Sequence, residues 1–152
     1  MSQAVKPFAS LIKHEEKIRD TYQDLLDKAV QSNIRYFLSL FLNVHKDIIG
    51  KLKAFGRKEF QLEEHELPES PTSIWATDHL VTEETVDLTS LQSVLLYLAK
   101  TEAESVNEFD SLIGETPEQD MKDYLTRIRE EKEIISTKAD RLYHDMIESK
   151  IS

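Results

Sequence analysis

The stretch Leu11-Ile12-Lys13-His14-Glu15-Glu16-Lys17-Ile18-Arg19-Asp20-Thr21-Tyr22 repeats apolar residues at three- and four-residue steps, with a glutamate among them. Leu11, Ile12, Ile18 and Tyr22 share one face of an α-helix, and Glu15 falls at the centre of that face. The arrangement returns 87 residues later without a gap, where Leu98, Val106 and Phe109 surround Glu102. The same offset pairs Phe8 with Leu95, Lys13 with Lys100 and Leu25 with Leu112. Any two amphipathic helices match apolar positions at some offset, so the repeated carboxylate is the more telling feature. An isolated buried carboxylate is strongly disfavoured, so Glu15 and Glu102 each need a cation, a donor or a proton.

Downstream of Glu15, a second helix starts at the cap signal Ser32-Asn33 and carries Ile34, Phe37, Leu38, Phe41, Ile48, Leu52 and Phe55. The helix of Glu102 comes after Asp87 and Thr89 and is stopped by Gly114. Thr116-Pro117-Glu118-Gln119 has the form of a capping box with proline at the first helical position. The fourth helix then carries Met121, Tyr124, Leu125, Ile128, Ile135, Ala139, Leu142 and Met146. The 87-residue offset holds here too, pairing Ile34 with Met121, Phe41 with Ile128 and Ile48 with Ile135.

Between about residues 57 and 88 the periodicity disappears, with Pro68, Pro71, Ser70 and Ser73 beside Glu63, Glu64 and Glu66. A connector of this length is uncommon in a compact domain unless it has a distance to cover. A helix of about 25 residues is about 37 Å long, which is such a distance. The expected architecture is therefore all-α: one domain over 1–152, a four-helix bundle of two antiparallel hairpins joined by a long crossover. Ile74 and Trp75 are expected to pin the crossover to the bundle, and Glu63, Glu64, His65 and Glu66 read as a solvated acidic loop.

Composition narrows the function. The 152 residues contain no cysteine, which excludes disulfide scaffolds, thiolate metal sites and thiol catalysis. Nineteen basic against twenty-nine acidic residues leave a net charge of −10, which opposes binding to a phosphate backbone and predicts no nucleic-acid partner. No apolar run approaches a membrane span and the start lacks a signal-type apolar segment, so a cytoplasmic protein without a membrane partner is expected. No glycine-rich phosphate loop or serine–histidine motif points to another enzyme class.

Two inward glutamates at matching heights on two hairpins form the skeleton of a metal site in a bundle core. Here the chain resembles the ferritin-like superfamily, especially small rubrerythrin-type proteins. In that family a Glu on helices one and three precedes an aromatic residue by seven positions, as Glu15 precedes Tyr22 and Glu102 precedes Phe109. The resemblance implies a di-iron carboxylate centre with Glu-x-x-His on helices two and four, and a metal-dependent oxidoreductase or peroxidase activity. The apolar frame puts His45 and Lys132 at the two family Glu positions, and Ile48 and Ile135 at the two family His positions. An alternative register makes His45 the family histidine, with Leu42 at the Glu position, and breaks the repeat unless helix four shifts as well.

In the symmetric register four of the six implied ligands are replaced. The expectation is a polar core cluster of Glu15, His45, Glu102 and Lys132 in place of iron, with no cofactor and no catalysis. Unit charges 4 Å apart attract by roughly 4 kcal/mol at an effective dielectric of 20, before desolvation is subtracted. The alternative expectation is a residual site for iron or another divalent metal on Glu15, His45 and Glu102, serving an oxidoreductase. Nearby glutamates keep Lys132 charged, which opposes a role as nucleophile. His14, His79 and His144 have no partner spacing and are expected at the surface. Tyr36, Leu40, Leu96 and Tyr97 are expected to be exposed beside the core stripes and widen the apolar arc beyond one face, which predicts a homodimer.

Overall fold

A computed structural model describes residues 5–60 and 86–151. Four helices run through them: α1 Val5–Lys28, α2 Ser32–Phe60, α3 Leu91–Gly114 and α4 Gln119–Ile151. No strand occurs among the described residues. Glu63 to Glu66, Ile74, Trp75 and His79 lie outside them.

Short turns make α1 with α2, and α3 with α4, the two hairpins, and α1 joins them by packing on α3. In the first turn Arg35 donates to the carbonyls of Leu26 at 2.7 Å and Ala29 at 3.0 Å, taking up acceptors at the end of α1. Gln31, in that turn, donates to the Thr89 carbonyl at 3.1 Å and so ties the start of α3 to the same end of the bundle. Phe8 contacts Phe55 at the opposite end, with ring centroids 5.9 Å apart. The C-terminus of α2 and the N-terminus of α3 therefore lie at opposite ends of the bundle.

Helix α3 follows Asp87 and Thr89 as expected, whereas the end of α2 and the start of α4 differ from the sequence expectation for local physical reasons. Helix α2 runs on to Phe60, with Arg57 and Lys58 in its last turn, where cations complement the helix dipole. Ser90 is the N-cap of α3, its side chain accepting from Ser93 N–H, while the Asp87 carboxylate turns to the Thr89 N–H and hydroxyl. The Thr116 hydroxyl donates to the Leu112 carbonyl at 2.8 Å instead of capping the next helix, so the capping box does not form and α4 begins at Gln119.

The apolar core is split into two parts. One holds Ile18, Tyr22, Leu25, Ile34, Leu38, Phe41, Val94, Leu98 and Ala139. The other holds Phe8, Leu11, Ile12, Ile48, Leu52, Phe109, Met121, Leu125 and Ile128. Along every helix a buried polar residue lies between the two: Glu15, His45, Glu102 and Lys132, all 0–1% exposed. Burial of a large aliphatic or aromatic side chain is worth about 1.5–3 kcal/mol, so the apolar layers on either side carry the stability that encloses these charges.

Candidate functional site

Each hairpin delivers one glutamate and one basic side chain to the same layer. His45 bridges the two carboxylates: Nδ1 meets Oε2 of Glu15, and Nε2 lies 2.6 Å from Oε2 of Glu102. A neutral imidazole has one N–H, so donating to both carboxylates requires the imidazolium. Burial alone would push the His45 pKa down, but the charges of Glu102 and Glu15 outweigh it and raise it to about 9. Lys132 Nζ donates to Oε1 of Glu15, and the Ser105 hydroxyl reaches the same oxygen at 3.2 Å. The Lys132 ammonium also stands 5.2 Å from the centre of the Phe109 ring.

Burial opposes ionisation of Glu15, yet Lys132 and then His45 hold its carboxyl well below the usual range. Glu102 is likewise lowered against burial, chiefly by His45. The Tyr22 hydroxyl donates to Oε2 of Glu102 at 2.6 Å, and burial together with that carboxylate keeps Tyr22 a phenol. Two carboxylates and two cations thus cancel. Several kcal/mol of desolvation per ion is offset only because each charge has an opposite partner within the layer.

The structure brings together Glu15, His45, Glu102 and Lys132, and it adds Tyr22 and Ser105. Ile48 is buried and Ile135 half-buried, each packed with apolar neighbours. His14, expected at the surface, is instead fully buried between Lys13 and Glu15, because α1 buries a wide arc that also takes in Glu16. Burial lowers the His14 pKa to about 4, so its ring is neutral at pH 7. Tyr97, expected to be exposed, is 3% exposed and contacts the Tyr22 ring edge-on at 6.3 Å. Leu40 and Leu96 are half-buried, and Tyr36 is exposed. His144 is exposed and faces Asp140 at 3.4 Å.

A di-iron centre does not fit these residues. It needs bridging carboxylates and imidazoles with free lone pairs, whereas Lys132 brings an ammonium and both His45 nitrogens point at carboxylates. Among the described residues no group of three or more His, Cys, Asp or Glu is arranged to hold a metal ion. No helix among them is long and apolar enough to cross a membrane. Comparison of the chain with protein-family models, curated proteins and solved structures gave no match.

Proposed function

We propose that this chain is a ferritin-like bundle of rubrerythrin type whose metal centre has given way to a self-neutralising set of side chains, and that it works as a non-catalytic structural or interaction protein. The observation that carries this reading is the position of His45, with one ring nitrogen on Glu15 and the other on Glu102. A proton shared through one imidazole, with Lys132 on the outer oxygen of Glu15, supplies the positive charge that two cations would otherwise bring. Fully buried and engaged with one another, these groups present no free nucleophile or base to a substrate. The test is metal analysis of protein produced with excess iron, together with thermal melts with and without ferrous ion. Iron far below one per chain and an unchanged melt are expected; near-stoichiometric, tightly held iron overturns the reading.

A second reading, a residual metal-dependent oxidoreductase or peroxidase on Glu15, His45 and Glu102, draws support from one atom. Oε1 of Glu102 is buried and has no hydrogen-bond partner among the described residues. A metal there requires His45 to surrender its bridging proton. Peroxide turnover that depends on added iron and vanishes in Glu15→Ala is the outcome that selects this reading.

A further inference from the structure

Glu130, Ile134, Thr137 and Arg141 succeed one another on α4 at steps of four, three and four residues, which places them on one strip of the helix. The buried residues Leu125, Ile128, Lys132 and Ala139 define the opposite side. The strip lines a shallow groove of about 760 Å³. Ile134 is 69% exposed and also forms one wall of a second groove, of about 440 Å³, with Leu40 and Val44 of α2. Neither Glu130 nor Arg141 makes an ion pair among the described residues, whereas the neighbouring Glu133 is taken by Arg129.

We propose that this strip is where two copies of the chain pair, with their α4 helices antiparallel about a two-fold axis passing between Ile134 and Thr137. Such an axis sets Glu130 of one copy against Arg141 of the other, and Ile134 against Thr137, and each contact then occurs twice. The strip is self-complementary because its carboxylate and its guanidinium are equally far from the midpoint. A partner of different sequence has no need of that symmetry. The charge balance favours the match as well. Two chains of −10 each repel at long range, so setting opposite charges face to face favours a contact between them. The apolar centre comes from Ile134, widened by the aliphatic stems of Lys138 and Arg141. This inference stands whether or not the polar layer binds metal.

The full chain is to be followed by sedimentation velocity over a wide concentration range, in low and in moderate salt. A dimer is expected in moderate salt, where the long-range repulsion between the two like-charged chains is screened. Glu130→Arg and Arg141→Glu each replace two ion pairs by two like-charge contacts and should weaken self-association by about tenfold or more. Ile134→Glu should do the same. All three positions are exposed, so the helices should be retained, which circular dichroism is to check. The decisive measurement mixes Glu130→Arg protein with Arg141→Glu protein in equal amounts. In the mixed pair every substituted position meets a charge of opposite sign, so dimers should return. A chain that is monomeric throughout, variants that dimerise like the parent, or a mixture that stays monomeric each overturns the proposal.

Discussion

Tyr22 and Phe109 occupy equivalent positions of the two hairpins, 87 residues apart, and close the polar layer in opposite ways. The Tyr22 hydroxyl donates to the Glu102 carboxylate at 2.6 Å, while the Phe109 ring lies 5.2 Å from the Lys132 ammonium. A ring with a donor serves the anion, and a bare ring face serves the cation. Tyr22→Phe removes a hydrogen bond to a charged group whose other oxygen already has no partner among the described residues. A loss of about 1.5–3 kcal/mol in urea unfolding is expected. A loss under about 0.5 kcal/mol would show that the hydroxyl is not a donor that matters to the fold.

Lys132 is the stronger anchor. Lys132→Met keeps much of the stem volume but leaves Glu15 with a charge that His45 must share with Glu102. A cost of about 3–5 kcal/mol is expected, the range for stranding one member of a buried pair. Combining it with Glu15→Gln should cost markedly less than the two single changes added together. Strict additivity in that double-mutant cycle would mean that the two side chains do not act on each other.

Stability should peak close to pH 6.5. Above it the governing group is His45, whose folded pKa of about 9 exceeds its ordinary 6.5. Its contribution is complete below pH 6.5 and is lost as pH rises through 9; a shift of that size corresponds to roughly 3 kcal/mol. Below the peak His14, depressed to about 4, favours the unfolded chain, which takes up its proton first as pH falls from 6.5. Glu15 and Glu102, both lowered, remove further stability as the medium becomes acidic enough to protonate them. Guanidinium midpoints measured from pH 4 to pH 10 test the shape, and a flat profile between pH 6.5 and 9 would contradict a bridging imidazolium.

Gly50 offers a gain. It is exposed in the interior of α2, and a Cβ built there meets nothing within 4 Å. Gly50→Ala removes backbone freedom from the unfolded chain and should add about 0.5–1 kcal/mol. For a chain of this size 1 kcal/mol raises the melting temperature by about 2–4 °C, which calorimetry resolves.

The four helices were legible because Leu11, Phe41, Leu98 and Ile128 belong to long, clean periodic stripes. Glu15 and Glu102 stood out for the same reason, as charges inside those stripes. Periodicity locates a face but does not give its width. His14 and Tyr97 lie on the margins of their stripes, and both are buried; Tyr97 meets Tyr22 of α1, a contact between helices that no local pattern shows. Ser105 carried a usable signal, three residues after Glu102 on the same side of α3. Helix ends were the least legible, since the Thr116 hydroxyl chooses between the carbonyl behind it and the amides ahead, and local sequence permits both.

The charged layer also solves an alignment problem that the apolar layers leave open. Aliphatic side chains replace one another along a helix, so α4 sliding by one turn, about 5.4 Å, exchanges one set of greasy contacts for a similar one. The same slide draws the Lys132 ammonium away from Glu15 and strands a carboxylate in hydrocarbon. Glu15, His45, Glu102 and Lys132 therefore act like the pins of a lock, and the two hairpins close in the one alignment that leaves no charge alone.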